Sequence, residues 1–200
     1  ILKIKMSINL HKIIQDKNNL DSNLIERIAW ATKKPDKLIK TSEKTVGEQR
    51  KDKMQKEKDW GNKMIGQKDN KQWTTKLGEK LVYDILYLRG ENPKKIKRKG
   101  GFEPDWETDN FIYEVKTSSW WVGGTAGEKV LGTMIKYQDI PKIYEKPLRI
   151  VCVANQEYEL EYGKTPYFGK NISQKTQQIL DLAKSWDIEY IRFSDLVSEI

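Results

Sequence analysis

Two hundred residues suffice for one ordinary domain with its own core, and a 37% hydrophobic share against 33% charged residues describes a folding chain with a strongly ionic surface. No apolar run approaches the ~18–20 residues that a bilayer span needs, and a single cysteine, Cys152, excludes an internal disulfide and a thiolate zinc cage. The net charge of +8 favours a polyanionic partner, and the expectation is a soluble, cytoplasmic protein without a membrane partner.

The chain divides by composition near residue 72. Residues 1–72 read as a basic, mainly helical N-terminal region, suited to wrapping DNA or to dimerisation. Asp21-Ser22-Asn23 is positioned to cap a helix carrying Leu24, Ile25, Ile28 and Trp30, which ends near Pro35. Residues 36–72 are mostly charge with few apolar anchors, the pattern of a marginal helix or a segment ordered by a partner. Thirteen Lys/Arg stand against seven Asp/Glu between Lys33 and Lys71, so six of the eight net charges lie there. A solvated lysine-rich surface accounts for this basicity as readily as a nucleic-acid partner does.

Residues 73–200 are patterned as an α/β unit. Leu77, Leu81, Val82, Ile85 and Leu88 recur at helical spacing across Lys76–Arg89, with Gly90 as the stop. Pro93–Lys99 is a short strand around Ile96, inside a run of five cations. Phe102–Thr108 and Phe111–Thr117 are strands flanking Asp109-Asn110, a two-residue hairpin turn. Thr125 and Glu128 have capping-box spacing ahead of a helix carrying Val130, Leu131, Met134, Ile135 and Tyr137. Leu148–Ala154 is a buried strand, where Cys152 reads as a structural thiol. Ser173–Trp186 is a helix, Ile188–Phe193 a strand, and Ser194-Asp195 caps a last helix. Early antiparallel strands and later helix-connected ones give a mixed central sheet flanked by helices, class α/β, with the helical basic region as its extension.

The hairpin concentrates chemistry. With a two-residue turn at Asp109-Asn110, opposed positions sum to 219, so Asp105 faces Glu114, and directly opposed Cβ atoms lie about 4.5–5.5 Å apart. Period two sets Lys116 on the face of Glu114, with Tyr113 and Val115 on the other. Two facing carboxylates repel unless a cation lies between them. A hard divalent cation such as Mg²⁺, which takes one or two carboxylates plus water and phosphate oxygens, meets that need. Lys116, not itself a ligand as an ammonium, is placed to hold or deprotonate an attacking water, which suits metal-assisted phosphodiester hydrolysis. The bland alternative is a polar cluster on a sheet surface. The linear pattern alone is weak, since acid-x-Lys also occurs at Asp69-Asn70-Lys71 and Pro-Asp at Pro35-Asp36, though neither of these sits in a hairpin.

Pro104-Asp105, eight residues, then Glu114-Val115-Lys116 resembles the signature of the PD-(D/E)XK nuclease superfamily, and most of all its type II restriction endonucleases. The resemblance covers roughly residues 76–154. It implies that Asp105 and Glu114 ligate Mg²⁺ with help from the Val115 carbonyl, that Lys116 positions the water, and that Glu79 is a further acid on the preceding helix. It also places DNA contacts after the catalytic strand, at Trp120, Trp121, Gly123, Gly124, Thr125 and Lys129. For the two tryptophans, base stacking and core packing stay equally open. The only histidine, His11, lies in the N-terminal region, which argues against a histidine-based nuclease or a Ser-His-Asp hydrolase, and no GxxxxGK[ST] loop is present. The function implied is sequence-specific cleavage of double-stranded DNA by a homodimer, since two-fold protein symmetry matches a palindrome. A repair or junction-resolving nuclease, and a non-catalytic DNA-binding module on the same fold, are the alternatives.

Overall fold

Among the described residues three helices precede the first strand. The computed structural model describes residues 23–34, 36–122, 126–198 and 200, with the backbone alone at 126–129. Helix α1 is Leu24–Ala31, α2 is Val46–Met64 and α3 is Trp73–Leu88. Strands β1 (Lys94–Lys95), β2 (Trp106–Glu107) and β3 (Ile112–Ser118) follow, then α4 (Ala126–Lys136) and α5 (Ile140–Tyr144). The chain finishes with β4 (Leu148–Ala154), α6 (Asn155–Tyr162), α7 (Gln174–Ser185), β5 (Ile188–Arg192) and α8 (Phe193–Ser198). The sheet has five strands in the order β1-β2-β3-β4-β5, antiparallel up to β3 and parallel from β3 to β5. The expected mixed sheet between helices is therefore present. Among the described residues no helix is long and apolar enough to cross a membrane.

The segment read as marginal helix forms the 19-residue α2. Its start is fixed by a capping box between Thr45 and Glu48, a pairing that satisfies two otherwise free backbone N–H groups. Its other end is fixed by burial of Glu57, Gly61, Asn62 and Met64. Gly61 is required here, because a Cβ would sit 2.1 Å from the Trp73 ring. One core cluster joins Leu24, Ile28, Trp30 and Met64 to Leu77, Leu81, Tyr113, Val115 and Trp120. Packing thus runs across the compositional boundary at residue 72. A buried ion pair, Arg27 to Asp84 at 2.8 Å, also fastens α1 to α3. Of the Asp21-Ser22-Asn23 cap, Asp21 and Ser22 lie outside the described residues, and Asn23 makes no side-chain cap.

The strands differ from expectation in extent. The strand read over Phe102–Thr108 is reduced to Trp106–Glu107, and that over Pro93–Lys99 to Lys94–Lys95. Pro104 has no N–H to give a ladder, and Lys99 and Phe102 bridge each other across Gly100-Gly101, both at positive φ. Two lysines on the outermost strand discourage pairing with another chain. Helices α5 and α6 have no periodic signature in the sequence. The step from β4 into α6 turns on Ala154 at φ 57°, a conformation that L-residues rarely adopt.

Alternation along β3 divides it between two cores. Tyr113 and Val115 face the cluster containing α1, α3 and α8, while Ile112 faces the cluster of Val130, Met134, Tyr137, Ile150 and Cys152. Glu114 and Lys116 share the side of Ile112, under α4.

Candidate active site

The hairpin forms with the expected register. Trp106 pairs with Tyr113 and Glu107 with Ile112, and Thr108 N–H donates to the Phe111 carbonyl at 2.9 Å across Asp109-Asn110. A plain continuation of the ladder would set Asp105 opposite Glu114. Instead the Asp105 amide donates to the Tyr113 carbonyl at 3.0 Å, so Asp105 and Trp106 both address one residue, the two-against-one arrangement of a β-bulge. The bulge turns the Asp105 carboxylate along β3, where its Oδ2 accepts from the Val115 N–H at 2.7 Å. The Asp105 charge still reaches Glu114.

Burial decides the electrostatics. Loss of water raises the Asp105 carboxyl to about 6, against the favourable Val115 N–H; the Glu79 charge adds to the rise, and Lys95 and Lys116 offset it. Glu114, 5% exposed, is raised first by burial and then by the Asp105 charge, with Lys116 and Tyr137 opposing. Two acids that resist joint ionisation thus sit at the middle of the sheet. Lys116 Nζ lies against Glu114 Oε1 as their spacing of two residues on one strand requires.

Glu79 approaches from α3 at the β2 edge of the sheet, not from the face that carries Glu114. Its carbonyl accepts from Trp106 Nε1 at 2.9 Å, and its carboxylate lies 3.8 Å from Lys95 Nζ. Helix α3 reaches this position because Gly78 has no Cβ: an added one would fall 1.7 Å from Thr117 Oγ1. Among the described residues no three His, Cys, Asp or Glu side chains gather as a metal-holding group. The donor set on offer is therefore two carboxylates and backbone. The carbonyl of Val115 leaves the strand on the same edge as its N–H, beside Asp105, where β2 has ended. An all-oxygen set of that size fits a cation that keeps most of its water.

Tyr137, just past α4, closes the site. Its hydroxyl is near enough to the Glu114 carboxyl to favour the charged form, it accepts from Lys136 Nζ at 3.0 Å, and its ring lies 5.9 Å from Lys116 Nζ. Burial, then the Glu114 charge, push the phenol up to about 12. The sequence marks Tyr137 as a helix residue in step with Val130 and Met134; which sheet face that stripe covers is a tertiary matter.

The residues expected to meet DNA fare differently. Gly123, Gly124 and Thr125 lie outside the described residues, as does the side chain of Lys129, and with them the Thr125–Glu128 capping box. Trp120 and Trp121 are 5% and 7% exposed and belong to the core. Core packing is thus the arrangement found, and neither ring stands out as a wedge. Trp120 is held by its indole N–H on the Trp30 carbonyl at 2.9 Å and by its backbone N–H on Glu57 at 3.1 Å. Glu57, buried in α2, also accepts from Trp30 Nε1 at 2.8 Å and from Ser119 Oγ. Nothing in the sequence around Glu57 marks it from its exposed neighbours.

Comparison with protein-family models, with curated proteins and with solved structures finds no match to this chain.

Proposed function

We propose that the chain is a Mg²⁺-dependent endonuclease of the PD-(D/E)XK type, hydrolysing phosphodiester bonds of double-stranded DNA. The observation that carries this reading is the junction of Asp105, Glu114 and Lys116 on a bulged hairpin, two charge-frustrated carboxylates and one ammonium in a partly desolvated site. Asp105 and Glu114, with the Val115 carbonyl, would hold the metal, whose chemistry would be polarisation of the scissile phosphate and of water. Lys116, which lies against Glu114, would orient the attacking water and offset charge on the phosphorane. Tyr137 keeps Glu114 in place. Glu79 stands at the rim, positioned by Trp106 and Lys95.

Within that class, site-specific cleavage by a homodimer is the reading we favour, and the protein would then act inside the cell. Plasmid DNA incubated with the purified protein and Mg²⁺ should give discrete fragments whose sequenced ends share a site. Cleavage confined to branched substrates would indicate a junction or repair nuclease, and binding without cleavage a non-catalytic module. Asp105→Ala and Lys116→Ala should each abolish cutting. Unaltered cutting by either variant would remove the site assignment.

A further inference from the structure

Five of the six residues from Lys94 to Lys99 are cations, and all five are exposed. Ile96, the sixth, is buried with Tyr137 and Tyr144 and anchors the run. The run is an arm of fixed shape. It enters as β1, with Lys95 opposite Trp106, and turns at Gly100-Gly101, where Lys99 and Phe102 exchange backbone hydrogen bonds of 3.1 and 2.9 Å. The Tyr144 hydroxyl lies 3.0 and 3.1 Å from the carbonyls of Lys97 and Phe102, and Arg98 Nε donates to the Gly101 carbonyl at 3.3 Å. Backbone held in this way presents its lysines with little further ordering cost on binding.

The arm meets the candidate site from two sides. Lys95 stands opposite the neighbour of Asp105, its Nζ lies 3.8 Å from the Glu79 carboxylate, and its charge reaches Asp105. Phe102 packs against Tyr137, the tyrosine beside Glu114, at 6.0 Å between ring centroids.

The charge balance of this surface is positive. Residues 94–103 carry five cations and one carboxylate, Glu103. Glu79, Asp105 and Glu107 add three carboxylates, and Lys146, paired with Glu107 at 2.7 Å, adds one cation, which makes six against four. Lys142 with Glu145 on the neighbouring helix, and Lys116 with Glu114 in the site, contribute one of each sign. An excess of two cations thus stands before any metal charge is counted. Lys97, Arg98 and Lys99 have no carboxylate within ion-pair distance among the described residues.

We propose that this arm is the surface on which the sugar–phosphate backbone of duplex DNA rests beside the site, with Lys95, Lys97 and Lys99 as phosphate contacts. The choice of DNA rests on the nuclease reading. Lys95, whose side chain is 55% exposed, adjoins the carboxylates assigned to the metal and takes a phosphate close to the bond that is cut. Its pairing with Glu79 is long and solvent-exposed, so little holds the ammonium back from a phosphate.

The test uses the full chain with a labelled duplex of about 30 base pairs in EDTA, binding being followed by anisotropy from roughly 50 to 200 mM salt. The triple variant Lys95→Ala, Lys97→Ala, Lys99→Ala keeps Arg98 on its carbonyl and should lower affinity at least tenfold. It should also flatten the slope of log K against log salt by about 2.7, three contacts at ~0.9 each. A charge-matched control is Lys170→Ala, Lys175→Ala, Lys184→Ala, at and just before α7, which packs on β5 at the opposite edge of the sheet. It should stay within about threefold of the parent. Equal losses in the two triples, or an unchanged arm triple, would overturn the proposal. Should the triple unfold, Lys95→Ala alone must still flatten the slope by about 0.9. A parent chain that binds through the arm but never cuts with Mg²⁺ leaves this surface standing and removes the nuclease reading.

Discussion

Asp105 shows how one side chain couples stability to chemistry. In the fold its carboxyl is raised to about 6 from an ordinary 3.8, so between these values the folded chain holds more proton than the unfolded one. Stability from this source is complete below about 3.8 and is lost as the pH rises through 6. Asp105→Asn should therefore melt above the parent at pH 8 in chelator, by up to about 3 kcal/mol. The gap should narrow towards pH 4, and a gap independent of pH would exclude Asp105 as its source. Mg²⁺ should stabilise the parent and not this variant. Tyr137→Phe removes only the hydroxyl between Glu114 and Lys136. One such hydrogen bond is worth about 1 kcal/mol, or roughly a fivefold loss of cleavage rate in a chain that stays folded. Of this site, the identities of Asp105, Glu114 and Lys116 are legible in the sequence, because a hairpin with a two-residue turn fixes its own register locally. The bulge at Asp105 and the cover from Tyr137 are not legible, since both depend on what packs around the hairpin.

At the scale of elements, two close approaches set the site. Helix α3 lies against β3 at Gly78, and Gly78→Ala would press a methyl group into Thr117 Oγ1. That overlap should cost about 2–3 kcal/mol in urea unfolding and reduce cleavage, by displacing Glu79. Thr117 Oγ1 is buried without a hydrogen-bond partner among the described residues, so adding Thr117→Ala should recover part of the loss. Recovery stays incomplete because the Thr117 Cβ would remain 2.8 Å away. Helix α2 is tied to the segment leaving β3 by Glu57. In Glu57→Ala, Trp30 Nε1, Ser119 Oγ and the Trp120 N–H lose their buried acceptor, a cost of about 3 kcal/mol in the urea midpoint. If the variant unfolds like the parent, α2 is not fastened in this way. The helical and strand periods of α3, α4, β4, α7 and β5 are plain in the sequence, because each buries a continuous apolar face. The polar stripe of α2 conceals its burial, since its anchor is a carboxylate rather than an aliphatic row.

Over the whole molecule, charge and packing follow different divisions. Most of the positive excess precedes residue 72, yet Leu24, Ile28, Trp30 and Ala31 of α1 and Met64 of α2 belong to the same core as α3 and β3. Thermal unfolding should accordingly be a single transition when followed by tryptophan fluorescence and by circular dichroism. A chain beginning at residue 73 would uncover Trp73, Trp120 and Trp121 and should lack that cooperative transition. A sharp transition in the shortened chain would make the N-terminal helices dispensable for folding.

By itself, the sequence determined the α/β class, the mixed sheet and the hairpin register, because periodicity, turn length and strand alternation act over a few neighbouring residues. It also brought out Asp105, Glu114 and Lys116 as one cluster. Only the tertiary structure decided that Trp120 and Trp121 are buried and that Glu57 binds α2 to the strand exit. Those outcomes join residues tens of positions apart, and desolvation and partner geometry, rather than local pattern, set their energies.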